Sequence, residues 1–363
     1  MNKKKFHIIF VFLIILSLQF YSGCTDFYQN ATIYESHPTK INYNINYGYY
    51  INTSGEGKFT VFYECNLPEI LKGALNAEPL NQNSYQIVSV LNNSLIRWND
   101  SNLGNCNLIY GVTANITAES YLVSSLEGKQ SLSLHDIKIN NNDIYNKYCK
   151  KQIYKNISFI DPEDSNIKSI ALTVLDSANS SNSFTIAKKL FIWLKENTIY
   201  QIHHENNSVQ YAAYTSMKGS GDCDDLSFLY ISLCRSVGIP ARLISGFLIE
   251  ENSGIISSVG HAWVEIFVGP QITSNGWMPV ECSCSADIKT ELNQNFGVEN
   301  VYHLRLFEDD GSDESLKIYM SGPRVEYDKN LEINMESFVE INRYSVIEYS
   351  ELIVDRMGNR SYK

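Results

Sequence analysis

A glycine-rich loop that leads directly into an amphipathic helix is the feature that most constrains this chain. The loop and the first helical residue form the run Gly219-Ser220-Gly221-Asp222-Cys223. Apolar residues then recur at helical spacing, at Leu226, Leu229, Tyr230, Leu233, Cys234 and Val237. Gly238 and Pro240 end the pattern as helix stop signals. Cys223 is therefore predicted in the first turn of the helix, where free N–H groups and the helix dipole favour a thiolate.

The residues after this helix predict strands, two of which carry a histidine and a carboxylate. A buried strand is expected over 241–247, followed by a polar loop over 250–259. His261 begins the next strand, and a turn at Asn275-Gly276 leads to another strand that ends near Glu281. Antiparallel neighbours bring the start of one strand beside the end of the other. We therefore expect His261 and Glu281 to lie together and to face the cysteine helix.

These three residues suit a thiol-based reaction. Cys223 would be the nucleophile, and His261 would be the base that removes its proton and later protonates a leaving amine. Glu281 would orient His261, with Asp287 as the alternative orienting carboxylate. Alone, a cysteine in a turn before a helix is as readily structural as reactive, and a histidine at a strand start is more often structural. Together, on a layout of a helix followed by strands, they are much less expected by chance.

The motifs around these residues resemble those of the transglutaminase-like family, which shares a papain-related cysteine fold. They are Gly221-Asp222-Cys223, Gly238-Ile239-Pro240-Ala241-Arg242, Gly260-His261-Ala262-Trp263-Val264-Glu265 and Gly276-Trp277-Met278-Pro279-Val280-Glu281. The resemblance covers roughly residues 167–302. It implies an α+β fold, with helices packed on an antiparallel sheet, and it implies catalytic roles for Cys223, His261 and Glu281. The family usually has aspartate at the position of Glu281.

The resemblance also implies an activity on amide bonds. The cysteine would attack an amide of a protein or peptide, form a thioester and release an amine, with no cofactor and no metal. Water as the acceptor gives a peptidase or amidase, and an amine as the acceptor gives cross-linking. Large cross-linking enzymes carry several downstream β-sandwich domains, and their absence here favours hydrolysis.

A catalytically inactive binding or scaffold protein with the same fold is the alternative. Asp222, Asp224 and Asp225 crowd the thiol, and repulsion from their charges would raise the pKa of Cys223. The same residues suit a helix N-terminus, where the dipole favours negative charge. Which effect dominates depends on where these side chains point.

The first 24 residues predict export. Lys3, Lys4 and Lys5 precede an apolar run over 8–16, which is shorter than the roughly 20 residues of a membrane-spanning helix. Ser22-Gly23-Cys24 resembles the end of a prokaryotic lipoprotein signal, in which the cysteine is acylated, and an uncleaved anchor is the alternative. We expect an exported prokaryotic protein, either held by its N-terminus on the outer face of the cytoplasmic membrane or extracellular. A cell-surface polymer is then a candidate substrate.

The rest of the chain divides into three predicted parts. Short alternating runs over 34–155, including Ser131–Leu134, predict a β-sandwich-like N-terminal domain. Residues 161–305 form the predicted catalytic domain, which opens with helices over 167–179 and 184–197, the second capped by Ser183. Residues 306–363 predict a strand-rich C-terminal extension, with Leu316–Met320 as one strand-like run, which we expect to pair with either the catalytic sheet or the N-terminal domain.

Charge argues against a nucleic-acid partner, and residue spacing gives little support for a metal site. The net charge is −11, and no basic cluster lies outside the first 24 residues. Eight cysteines fit an exported setting, where disulfides persist, although Cys234 on the apolar helix face is expected as a buried free thiol. Cys282 and Cys284 lack a matching His/Cys pair and so give weak support for zinc. The acidic run 308–314 lacks the spacing of a calcium loop and is interpreted as a solvated turn.

Overall fold

The computed structural model describes residues 31–68, 74–82, 84–202, 209–252, 255–283 and 285–363. The predicted targeting segment Met1–Cys24 lies outside the described residues, as do His203, His204 and Cys284. Within the described ranges, no helix is both long enough and apolar enough to cross a membrane.

The described residues form eight helices and twenty-one strands. The helices are α1 (Leu134–Asn140), α2 (Asn142–Tyr148), α3 (Ser165–Ala178), α4 (Ser183–Asn197), α5 (Ala212–Lys218), α6 (Cys223–Ser236), α7 (Ile288–Gln294) and α8 (Asp313–Tyr319). The strands are β1 (Thr32–Ile33), β2 (His37–Gly55), β3 (Lys58–Asn66), β4 (Ala74–Pro79), β5 (Tyr85–Val90), β6 (Asn93–Leu103), β7 (Cys106–Glu119), β8 (Tyr121–Leu122), β9 (Gln152–Tyr154), β10 (Ile157–Ile160), β11 (Ile199–Tyr200), β12 (Ser220–Gly221), β13 (Ala241–Asn252), β14 (Ile255–Phe267), β15 (Trp277–Val280), β16 (Val298–Glu299), β17 (His303–Glu308), β18 (Arg324–Tyr327), β19 (Leu331–Ser350), β20 (Leu352–Val354) and β21 (Arg360–Tyr362). The fold is α+β, as predicted.

Two four-stranded antiparallel sheets, β18-β3-β6-β5 and β19-β2-β7-β4, build the N-terminal part. Strand β2 alternates buried Ile41, Tyr43 and Ile45 with half-buried asparagines, which is the pattern of a strand with one face in a core. Val61 of β3 and Val112 of β7 are fully buried in the same apolar cluster. The two sheets therefore share one core.

The C-terminal segment returns to these sheets. β18 pairs with β3 and β19 pairs with β2, so each sheet takes an outer strand from the end of the chain. The predicted strand-like run Leu316–Met320 is wrong, because these residues lie in and just after α8, which Ser312 caps by accepting from the N–H of Ser315. The predicted strand Ser131–Leu134 is also wrong, because Ser133 is the N-cap of α1.

The acidic run 308–314 is not a solvated turn. Asp309 and Asp310 are buried, and the Asp309 carboxylate accepts from Gln152 Nε2 at 3.0 Å and contacts Arg235 at 3.4 Å. Asp310 Oδ1 accepts from the N–H of Ser312 at 3.0 Å. Asp309 and Asp310 have these partners because buried carboxylates need hydrogen bonds or an opposite charge. The composition of the run does not reveal that its carboxylates are buried.

A third four-stranded antiparallel sheet, β15-β14-β13-β17, carries the predicted catalytic strands. Helix α6 packs on β13 and β14 and is covered by α3, α4 and α5. Its residues from Asp225 to Arg235 are all buried. It is therefore the central helix of this domain rather than a helix with one solvated face.

Local details differ from the predicted boundaries. Helix α4 begins at Ser183 and its cap is Asn182, whose side chain accepts from the N–H of Thr185 at 2.9 Å. The polar stretch predicted as a loop over 250–259 is mostly strand, because β13 runs to Asn252 and β14 begins at Ile255. The two strands form one long hairpin.

Candidate active site

A capping box fixes the start of α6. Asp222 is the N-cap, and its N–H donates to Asp225 Oδ2 at 3.1 Å. Asp225 is fully buried and also accepts from the backbone N–H of Gln210 at 2.6 Å and from its Nε2 at 2.5 Å. A side chain at position 221 would place a Cβ 2.5 Å from the Cβ of Asp225, so Gly221 is required there. Asp225 thus stabilises the helix start.

The sulfur of Cys223 lies beside the backbone of Ala262. Strand β15 pairs with β14 only as far as Val264, and beyond that point the N–H of Ala262 hydrogen-bonds to Cys223. The thiol also contacts Asp224 Oδ1 at 3.2 Å. Because Ala262 follows His261, the chain brings the predicted nucleophile to the residue next to the predicted base.

The surroundings of Cys223 favour the neutral thiol. Burial, the Asp224 carboxylate and the charge of Asp222 raise the pKa of Cys223 well above its usual range, whereas the N–H of Ala262 acts in the opposite direction. The repulsion expected from the sequence is therefore present. Its largest contributions come from Asp224 and Asp222.

His261 and Glu281 are in direct contact. His261 Nε2 lies 2.7 Å from Glu281 Oε2, and both side chains are buried. Ala262 and Val264 pack in the core around α6. Alternate side chains of a strand point to opposite faces, so His261 lies on the sheet face away from α6, contrary to our expectation that it faces the helix. It lies next to Ala262, whose backbone contacts the sulfur, and its charge acts on Asp224 at the start of α6.

Glu281 is held as a carboxylate. Its Oε1 accepts from the N–H of Ser283 at 2.6 Å. Burial alone would raise the pKa of Glu281, but the hydrogen bonds and charges of His261 and His303 outweigh burial and hold that pKa well below its usual range. Glutamate thus contacts the histidine despite its extra methylene group. Asp287, the alternative orienting residue, is the exposed N-cap of α7 and accepts from the N–H of Thr290 at 3.1 Å.

His303 is a site residue that sequence reasoning missed. It begins β17, and its Nε2 lies 3.0 Å from the same Oε2 of Glu281 that contacts His261. Its Nδ1 lies 2.8 Å from Asn300 Oδ1. The two imidazole rings are 5.5 Å apart, and Trp263 contacts both. No motif marks this histidine in the sequence, because it lies beyond the segment that carries the family resemblance.

Two tyrosines also lie near the thiol. Tyr319, at the end of α8, hydrogen-bonds to Asp224, and burial together with the charges of Asp224 and Cys223 raises its pKa well above the usual range. Tyr200 belongs to β11, which pairs with β12 just before Cys223. Burial, followed by the charge of Cys223, raises the pKa of Tyr200 to about 12. Both hydroxyls therefore stay protonated near neutral pH.

Two groups of side chains in the described ranges bring three donor atoms within 4.8 Å of one another, His261/Glu281/His303 and Asp222/Cys223/Asp224. In the first group, the short distances are those of the hydrogen bonds that Glu281 accepts from His261 and His303, so these hydrogen bonds explain the geometry of the group. Cys282 of the predicted weak zinc pair is buried, and its carbonyl accepts from Lys195 Nζ at 2.8 Å.

The six cysteines in the described part of the chain are free thiols, and Cys234 is buried, as predicted.

Residues 170–282 match the family described as the Transglutaminase-like superfamily. The chain contains a transglutaminase-like domain. The match includes Cys223, His261 and Glu281 but ends before His303. No curated protein sequence matches this chain.

Most of the chain is similar in fold to a proposed cysteine protease from Cytophaga hutchinsonii. The TM-score is 0.54 at 15% sequence identity, and the alignment covers 92% of this chain and 100% of that one. Likeness at this identity concerns the fold alone. A weaker similarity is to the periplasmic domain of TgpA from Pseudomonas aeruginosa bound to ethylmercury, with a TM-score of 0.32 at 14% identity over 65% of this chain and 88% of that one. Another is to red sea bream transglutaminase, with a TM-score of 0.30 at 10% identity over 63% of this chain and 47% of that one.

Proposed function

We propose that this chain is an exported thiol enzyme that acts on amide bonds of a protein or peptide through a cysteine thioester. The observation that carries the proposal is the arrangement at the start of α6. Cys223 is the first residue of a buried helix, its sulfur contacts the N–H of Ala262, and the adjacent His261 is held by Glu281. A nucleophile, a base and an orienting carboxylate are the parts that acyl transfer from an amide requires.

The proposed reaction begins when His261 takes the proton of the Cys223 thiol through Nδ1, because Glu281 engages Nε2. The sulfur then bonds to the carbonyl carbon, and the N–H of Cys223 can donate to the developing oxyanion because a first-turn N–H has no intrahelical acceptor. The C–N bond breaks as His261 returns the proton to the leaving amine. Water, deprotonated by His261, next attacks the thioester, which releases the carboxylic acid and restores the thiol.

Hydrolysis rather than cross-linking is our proposal for the acceptor. The likeness of most of the chain to a proposed cysteine protease supports it. For export, the support is the lysine-led apolar segment at the start of the chain. We propose that this segment holds the protein at the outer face of the cytoplasmic membrane, where amide bonds of surface proteins or of a cell-surface polymer are within reach.

A second candidate function is an inactive binding or scaffold protein. The contact of the thiol with Asp224, which raises the pKa of Cys223, favours this candidate because a neutral thiol is a poor nucleophile. Such a protein would keep the fold and bind a polymer without forming a thioester.

The experiment uses the full chain, Cys223→Ala and His261→Ala, each incubated with a mixture of unfolded proteins and a fluorescent primary amine. New amino termini without amine incorporation, absent from both variants, would support hydrolysis. Amine incorporation would instead indicate cross-linking chemistry. If neither product forms and iodoacetamide labels Cys223 no faster than free cysteine, the scaffold function is favoured.

A further inference from the structure

Two histidines share one oxygen of the candidate catalytic carboxylate. His261 Nε2 lies 2.7 Å and His303 Nε2 lies 3.0 Å from Glu281 Oε2. The side chains of both histidines and of Glu281 are at most 7% exposed. Because a carboxylate in this state only accepts hydrogen bonds, each of the two Nε2 atoms must carry a proton.

Asn300 decides the state of the other nitrogen of His303. The backbone N–H of Tyr302 donates to Asn300 Oδ1 at 3.0 Å, and a backbone N–H can only donate, so the atom facing it is the amide oxygen. The Nδ1 of His303 lies 2.8 Å from that same oxygen and must therefore donate to it as well. Both ring nitrogens of His303 thus face acceptors, and the ring satisfies both contacts only as the doubly protonated cation.

A glycine allows the strand that carries His303 to join the sheet. Strand β13 runs between β14 and β17, and its Gly246 lies opposite His261 on one side and Arg305 on the other. Position 246 shares a sheet face with both histidines because strand side chains alternate. A Cβ on Gly246 would lie 1.8 Å from the carbonyl oxygen of Leu304. The missing side chain thus lets the β13 and β17 backbones pair closely, and β17 carries His303 to within 5.5 Å of the His261 ring.

We propose that His303 is a positioning residue of this centre, which holds Glu281 against His261 and supplies a positive charge to the site. This proposal rests on the proposed function for its activity readout only. The groups around the histidine pair are Glu281, the Arg305–Glu265–Glu299 set on the same sheet face, and Asp224 at the start of α6, which senses the charge of His261 and lies beside Asp222. Among them, the charge of His303 offsets the aspartates that disfavour a thiolate.

His303→Gln tests the proposal, because glutamine can still donate one hydrogen bond but carries no charge. The matched control is His135→Gln, since His135 is exposed on α1. Removing a positive charge 5.5 Å from the His261 ring should slow alkylation of Cys223 by iodoacetamide near neutral pH on the order of tenfold. It should also move the acidic limb of the pH–kcat/KM profile to higher pH, while the control matches the wild type in both measurements.

A spectroscopic readout needs no substrate. In the full chain labelled with ¹⁵N at histidine, one of the seven histidines should show both ring nitrogens protonated near neutral pH, and His303→Gln should remove that signal. Should His303→Gln not fold, Asn300→Ala removes the acceptor of Nδ1 and should change alkylation in the same direction by a smaller factor.

Three results would overturn the proposal. The first is an alkylation rate of Cys223 in His303→Gln equal to that of the wild type. The second is an NMR spectrum in which His303 is neutral. The third is zinc bound at one equivalent in the purified chain and lost in His303→Gln, since a metal ion rather than a proton would then lie between His303 and Glu281. If no substrate is turned over but alkylation and NMR behave as expected, the proposed enzymatic function fails and the role of His303 stands.

Discussion

Replacing Asp224 by asparagine should make Cys223 more reactive. The Asp224 carboxylate contacts the thiol at 3.2 Å and is, after burial, the largest cause of the raised pKa of Cys223. Asparagine keeps the shape of the side chain and its acceptor oxygen but removes the negative charge. The substitution therefore separates the charge of Asp224 from its hydrogen bond.

The size of the effect follows from the distance. Two unit charges 3.2 Å apart repel by ~1.3 kcal/mol in water and by ~5 kcal/mol at an effective dielectric constant of about 20. Cys223 and Asp224 are both half-buried, so solvent screens part of the repulsion and the smaller value is the safer lower bound. Since about 1.4 kcal/mol is a factor of ten, the thiolate fraction near neutral pH should rise by about tenfold or more.

The assay is the rate of iodoacetamide labelling at Cys223, mapped by mass spectrometry across a range of pH. Asp143→Asn is the matched control, because Asp143 is the second residue of α2 as Asp224 is of α6, but it is exposed and away from the thiol. A labelling rate in Asp224→Asn equal to that of the wild type and the control would refute the argument, because the thiol would then not sense the Asp224 charge.

Two further predictions concern stability. Gly246→Ala should lower the free energy of unfolding by about 1–3 kcal/mol or more, because the new Cβ would lie 1.8 Å from the Leu304 carbonyl oxygen. The control is Gly260→Ala, where a Cβ meets nothing within 4 Å. It should change the free energy of unfolding, measured in urea, by only about 0.5 kcal/mol. Glu281, whose folded-state pKa is held well below the 4.5 of an unperturbed glutamate, contributes stability that is complete above about pH 4.5 and is lost as the pH falls through the folded-state value. Urea titrations at a series of acidic pH values should show that Glu281→Gln weakens this acid dependence, and an unchanged dependence would contradict the assignment.

The sequence predicted the centre of the site well and its surroundings poorly. The position of Cys223 at the start of a helix follows from local signals, namely a glycine loop, apolar residues at helical spacing and Gly238 as a stop. The contact between His261 and Glu281 follows from strand alternation together with the family resemblance. Both predictions rest on the pattern of apolar residues within short stretches of the chain, which fixes which side chains share a face.

The remainder depends on contacts between distant segments. His303 reaches Glu281 only because β17 joins the sheet beside β13, and no local pattern announces that pairing. Apolar and polar residues alternate in the run before Tyr319, which suggests a strand, yet Ser312 caps a helix there. Nor does any local pattern in β18 or β19 indicate a partner strand near the start of the chain, because register is set by packing between segments rather than by neighbours in sequence.

The return of β18 and β19 to the first sheets has a consequence during synthesis. Translation from Glu119, the end of β7, to Arg324, the start of β18, takes roughly 10–40 s at ~5–20 residues per second. Throughout that time the edges of β2 and β3 lack their final partners, and unpaired edges are templates for association with other chains. The first two sheets therefore stay open until β18 and β19 are made, and chaperones that cover exposed strands would be needed most in that interval.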